Sequence, residues 1–180
     1  MPLDEIVLPI TQPETEWVRG RALVKMSPTR NHARIQMRIA SAFDAWAGAF
    51  GEVATEWRFR LAPDGEVRRP LVPDVSFVRN ERLRPLSDEE IAAPAIAPNV
   101  AVEVLSPGDD PRDVADKVDV YLRAGVDMVV VVDPKKRTIV AYDRNAIRTY
   151  EGDDTFVHQA MPGFRLELRP FFASALDRMP

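Results

Sequence analysis

The sequence predicts an α/β fold: one mixed β-sheet flanked by helices, in the order helix, three strands, helix, strand and an antiparallel extension. Three observations carry this reading. Residues 31–50 place Ile35, Ile39, Ala42, Phe43, Trp46 and Phe50 at helical spacing. Two apolar runs, Asn99 to Leu105 and Met128 to Val132, have the composition of buried strands. Between them, Asp110 to Gly125 carries the start and stop signals of a helix, so the three elements form a parallel crossover.

The first dozen residues read as a lead-in without regular structure. Arg21 to Met26 predicts a short strand, which Ser27-Pro28-Thr29 breaks. The amphipathic helix runs from about Asn31 to Phe50 and ends near Gly48 or Gly51. Glu52 to Leu61 alternates as a strand, and Pro63-Asp64-Gly65 turns the chain. Pro70 to Val78 is the second strand, its proline near the start, where a missing N–H is tolerated. The polar stretch Arg79 to Pro98 holds a short helix around Ser87 to Ala92, capped by Ser87.

Asn99 to Leu105 is the third strand, stopped by Ser106-Pro107-Gly108. In the helix that follows, Asp110 is the cap, Pro111 suits the first position and Asp113 favours the positive end. It runs to about Ala124, with Val114, Val118, Tyr121 and Leu122 on one face and Gly125 closing it. Met128 to Val132 is the fourth strand. Asp133-Pro134-Lys135-Lys136 turns the chain into a fifth, Arg137 to Tyr142. Short β segments follow near Ile147 to Tyr150 and Phe164 to Leu168.

With 180 residues and no repeat or linker, the expectation is one domain over 1–180, its core at about 20–145. An apolar fraction of 46% beside 29% charged residues suits a globular protein. The absence of cysteine excludes disulfides, thiolate zinc sites and cysteine nucleophiles, and fits a reducing cytoplasm. The start, MPLDEIVLPI, has acids and prolines where a secretory signal carries a basic patch and an apolar run. The longest apolar stretch is too short to span a bilayer. A soluble cytoplasmic protein is expected. A net charge of −4 is not the signature of a nucleic-acid binder, yet a local basic face or a bound metal leaves that class open.

Glu103 is the most informative residue. It interrupts an otherwise apolar strand, where an unpaired carboxylate is costly, so it must meet a cation, a metal or a proton. A structural ion pair with an arginine is the alternative. Asp74 poses the same question on the preceding strand, with turn chemistry after Pro73 as its alternative. Two acids on neighbouring strands can converge on a hard divalent cation, magnesium or manganese. Lys117 flanks the buried stripe of the second long helix, and reads either as a site lysine or as a snorkelling one.

The stretch Val72 to Tyr142 resembles the Uma-two family of restriction endonucleases, within the PD-(D/E)xK nuclease superfamily. The matching pieces are Val72-Pro73-Asp74-Val75-Ser76-Phe77-Val78, Val102-Glu103-Val104-Leu105-Ser106-Pro107 and Asp113 to Tyr121. Ala124-Gly125-Val126 and the Val131-Val132-Asp133-Pro134 turn complete them. The resemblance implies a restriction-endonuclease-like fold with an αβββαβ core, which matches the element order read above. It implies that Asp74 and Glu103 bind the metal with the backbone carbonyl of Val104, and that a lysine serves the attacking water. The superfamily position for that lysine, two after Glu103, is Leu105; the resemblance then points to Lys117 on the following helix.

His32, at the start of the first long helix, is placed like a family histidine and is an accessory candidate; packing is its alternative. Glu56 is a second accessory candidate, or else a solvent-facing partner of Arg58. No catalytic acid is assigned around Arg19-Gly20-Arg21. Grouped glycines for a phosphate loop are absent, two histidines without cysteine argue against a zinc enzyme, and no G-x-S-x-G element occurs. Basic groups at Arg30-Arg34-Arg38, Arg68-Arg69, Arg79-Arg82-Arg84 and Lys135-Lys136-Arg137 are candidates for phosphate contacts or ordinary surface.

The expected function is metal-dependent hydrolysis of DNA phosphodiester bonds with magnesium or manganese. Asp74, Glu103 and Lys117 form the expected site, and DNA and a second copy of the chain are the partners. The rivals are a catalytically degenerate scaffold that binds DNA or protein, and a nuclease acting on RNA or branched DNA. Phe171, Phe172 and Leu176 read as core or interface.

Overall fold

Alternating apolar residues and capped amphipathic segments assemble into the expected mixed sheet between helices, with two departures that reshape its edges. The computed structural model describes residues 2–6, 8, 11, 15–24 and 28–178. Strands β1 (Thr15–Val18) and β2 (Arg21–Val24) form an antiparallel hairpin across Arg19 and Gly20, both at positive φ. The strand expected over 21–26 therefore begins as read. Its last two positions lie outside the described residues, as do residues 1, 7, 9, 10 and 12 of the first dozen, where Leu3–Glu5 forms a single 3-10 turn instead of the irregular lead-in expected. β1 was not expected.

Helix α1 (Arg30–Ala47) starts at Thr29, whose side chain accepts the His32 N–H, and stops at Gly48. It buries Ile35, Ile39, Phe43 and Ala47 at the predicted period. β3 (Gly51–Thr55) follows. A methyl group at Gly51 would sit 2.2 Å from the Phe77 ring and 2.7 Å from the Val78 carbonyl oxygen. Only glycine lets this edge strand approach its neighbour.

The strand expected over Glu52–Leu61 breaks at Glu56, which adopts a positive φ of 53°. Its second half is β4 (Phe59–Leu61), paired in a separate hairpin with β5 (Arg69–Leu71). The strand expected over Pro70–Val78 divides likewise, at Val72-Pro73-Asp74, into β5 and β6 (Val75–Arg79). Burial explains both breaks. Phe59, Leu61 and Leu71 join a different apolar cluster from Phe77 and Val75, and no single strand reaches both.

Two short helices, α2 (Asn80–Leu83) and α3 (Asp88–Ala92), lead on. α3 carries the Ser87 cap as a reciprocal capping box with Glu90; α2 was not expected. β7 (Val100–Val104), α4 (Pro111–Arg123, capped by Asp110) and β8 (Met128–Asp133) form the parallel crossover. β9 (Thr138–Tyr142) and β10 (Ile147–Tyr150) continue antiparallel. The sheet order is β10-β9-β8-β7-β6-β3, with β7 and β8 the parallel pair. α1 covers the face bearing Val75, Phe77, Val102 and Val130. α4 covers the face bearing Ala101, Val129 and Val131.

The carboxy-terminal segment corrects the expectation. Where a strand over Phe164–Leu168 was read, β12 (Leu166–Glu167) pairs briefly with β11 (Thr155–Phe156), and helix α5 (Leu168–Leu176) takes over. Phe171 and Phe172 are buried in the α1 cluster, so they are core. Arg34 donates to the carbonyls of Ser174 and Ala175, and Arg30 to that of Leu176. These two arginines cap α5, where a cation suits the negative helix end. Among the described residues, no helix is long and apolar enough to cross a membrane.

Candidate metal and catalytic site

The start of β6, the end of β7 and the first halves of α1 and α4 meet at one end of the sheet, and the predicted acids stand there. Asp74 is 2% exposed, just before β6. Its backbone is pinned on both sides: its N–H donates to Val102, and its carbonyl accepts from Glu56 N–H and from Gln36 Nε2. Its Oδ2 accepts the Val104 N–H at 2.6 Å and lies 3.2 Å from His32 Nε2. Strand pairing thus aims the Asp74 carboxylate at the end of β7.

Glu103 follows Ala101 by two residues and so shares its face, towards α4. The carboxylate is answered by a lysine and a tyrosine instead of an arginine. Lys117 Nζ donates to Oε2 at 2.6 Å, and the Tyr121 hydroxyl donates to Oε1 at 2.8 Å. Both donors come from α4, four residues apart and therefore on one helix face. Lys117 is ion-paired on two sides, its second partner being Glu16 Oε2 at 2.8 Å. Burial disfavours the ammonium, but Glu103 and Glu16 outweigh it and hold its pKa above the ordinary lysine range. Burial, with the same two carboxylates, pushes the Tyr121 hydroxyl well up.

A cavity of about 560 Å³ opens here, bordered by Asp74, Glu103, Lys117, His32, Glu56 and Val104. All the residues singled out in the sequence reach it. His32 is buried in contact with Asp74. Glu56 is exposed at the rim, off the strand on which it was read, and accepts from Gln36 Nε2 at 2.7 Å.

Two participants escaped the sequence reading. Glu16 is 3% exposed on β1, three residues before the Arg19-Gly20-Arg21 turn where an acid was sought. Its signal was alternation: in Thr15-Glu16-Trp17-Val18 it shares a face with buried Val18. Gln36, between the buried positions Ile35 and Ile39 of α1, carried no signal.

The basic groups divide. Arg68 and Arg69 bond the backbone of Asp4, Arg60 and Trp17, and Arg82 pairs with Asp127. Lys135 and Lys136 are exposed on the β8–β9 turn, beyond the same strand ends as Glu103.

The donor set suits a hard cation. Asp109, Asp110 and Asp113 join Glu16, Glu56, Asp74 and Glu103 around the cavity, with Lys117 opposed to them, so the lining is strongly negative. Among the described residues no three His, Cys, Asp or Glu side chains converge as a ready cage. Carboxylate oxygens are the donors that hard divalent cations such as magnesium take.

A family model described as "Putative restriction endonuclease" (Uma2) matches residues 7–169. A crystal structure described as "a putative nuclease belonging to DUF820", from Anabaena variabilis ATCC 29413, is similar at 25% identity. The match covers 94% of this chain and 95% of that one, with a TM-score of 0.81. No curated protein matches the chain.

Proposed function

The chain belongs to the Uma2 family, and from that premise we propose that it is an endonuclease hydrolysing DNA phosphodiester bonds with magnesium or manganese. The observation that carries the proposal is the meeting of Asp74, Glu103 and Lys117 around one acidic cavity. Asp74 and Glu103 are the proposed metal ligands, with the Val104 carbonyl beside them. A carboxylate oxygen offers two acceptor positions, and carboxylates are the ligands that hard divalent cations take. The bound ion supplies Lewis acidity at the phosphate and a water of lowered pKa.

Lys117 donates hydrogen bonds and positive charge at the cavity. Two carboxylates at hydrogen-bond distance favour its ammonium form, so its assigned task is to orient the attacking water and offset phosphate charge. His32 steadies the Asp74 carboxylate from the α1 side. Lys135 and Lys136, at the same end of the sheet, are the proposed phosphate-backbone contacts; such contacts position DNA without selecting sequence.

Purified protein with manganese is expected to nick supercoiled plasmid DNA, and Asp74→Ala and Glu103→Ala each to abolish nicking. Undiminished nicking by both variants would reject the site. Leu105, at the customary lysine position, favours a second reading as a non-catalytic scaffold. Calorimetric titration with manganese separates the two: the nuclease binds the ion through Asp74 and Glu103, and a scaffold does not.

A further inference from the structure

We propose that Glu16 is a positioning residue for Lys117, so that the amino-terminal hairpin completes a site otherwise built on the central sheet. The catalytic consequence rests on the nuclease reading; the geometry stands without it.

Glu16 divides its carboxylate between two tasks. Oε1 accepts the Val72 N–H at 2.8 Å, and Oε2 lies 2.8 Å from Lys117 Nζ. Val72 stands two residues before Asp74, in the segment that delivers that acid. One buried side chain therefore ties the Asp74 segment of the chain to the amine of α4. The ammonium ends up between Glu16 on β1 and Glu103 on β7, strands of different sheets.

A lysine stem has four carbons and swings readily when one partner holds it. With Glu103 alone, Lys117 would follow that carboxylate wherever a bound cation drew it. Glu16 gives the ammonium a second anchor outside the proposed metal ligands. The hairpin that carries the anchor also pairs with α4. Arg19 pairs with Asp116 and Asp119, and Arg21 with Asp113 and Asp116, all on α4. These acids flank Lys117 along the helix, so the hairpin is fastened to α4 on either side of the lysine it holds.

The test compares the full-length protein with Glu16→Gln, which can still accept the Val72 N–H but loses the charge facing Lys117. The chain has four lysines, Lys25, Lys117, Lys135 and Lys136, so side-chain ammonium NMR on ¹⁵N-lysine-labelled protein can be assigned by substitution. A slowly exchanging ammonium signal is expected from wild type, missing in Lys117→Arg, and broadened or lost in Glu16→Gln. In manganese-dependent DNA cleavage, Glu16→Gln should lower kcat about 10- to 100-fold, as small misplacements of a reacting group do. KM and calorimetric manganese affinity should stay unchanged. Glu16→Asp, charged but shorter, should fall between the two.

An unchanged ammonium signal in Glu16→Gln would overturn the proposal. So would an unchanged kcat, or a loss of manganese affinity that made Glu16 a ligand. If wild-type protein cleaved no DNA, the nuclease reading would fall by itself, while the ammonium signal would still decide whether Glu16 holds Lys117.

Discussion

Lys117 Nζ lies 2.6 Å from Glu103 Oε2, a contact from α4 to β7 that brings an amine to the acid which Leu105, its neighbour two along, cannot provide. On the proposed nuclease reading, the helix after the strand supplies the amine that Leu105 within it does not. Only the final place of the ammonium matters to a phosphate, and a long side chain on the neighbouring helix reaches it.

Removing that amine leaves two buried carboxylates facing each other. Lys117→Ala should therefore lose DNA cleavage and about 3–5 kcal/mol of stability, the usual cost of breaking a buried pair. Urea denaturation measures the loss. Manganese should raise the melting temperature of this variant more than that of wild type, since a dication replaces the missing charge. Equal shifts in both proteins would contradict the arrangement.

Tyr121 is fully buried, and its hydroxyl donates to Glu103 Oε1. Tyr121→Phe keeps the packing and deletes one donor to a charged acceptor. A loss of about 1.5–3 kcal/mol is expected in equilibrium unfolding. A neutral result would mean that water replaces the hydroxyl.

Gly51→Ala places a methyl group against the Phe77 ring and the Val78 carbonyl. Backbone cannot yield as a flexible side chain can, so β3 must shift from β6. Overpacking of this kind costs about 1–3 kcal/mol, readable as a lowered Tm. Gly51 is remote in role from the cavity, and folded Gly51→Ala protein should retain wild-type cleavage.

Asp143 joins the β9–β10 turn to His158. The N–H of Asn145 is the largest influence; burial opposes it, and the Ala146 N–H and His158 add to it, holding the carboxyl below its usual pKa. A folded-state pKa below the unfolded one stabilises above the ordinary aspartate value of about 3.9 and loses that contribution as pH falls through the folded value. Melting temperature followed below about pH 4 should drop more steeply for wild type than for Asp143→Asn. Parallel curves would remove Asp143 from the acid response.

The sequence exposed the centre of this protein and hid its edges. α1, β7, α4 and β8 were legible because their signals are local: the break at Ser27-Pro28-Thr29, the cap at Asp110, stops at Gly48 and Gly125, and apolar periods between them. Asp74 and Glu103 stood out for the same reason, as carboxylates set within apolar strands. The breaks at Glu56 and Asp74 were illegible, since alternation runs on through residues that belong to two different apolar clusters.

Helix α5 was missed although Phe171, Phe172 and Ala175 are spaced for one buried face, because the reading stopped at a β segment near Phe164 to Leu168 and gave the residues beyond it no element. Glu16 beside Lys117 was beyond reach for a deeper reason. By itself the sequence determined which side chains bear charge and which elements carry them. Tertiary structure alone decided that a hairpin from the start of the chain would close on a helix more than halfway along it. A buried charge needs a partner, but the partner's identity depends on packing that no local pattern encodes.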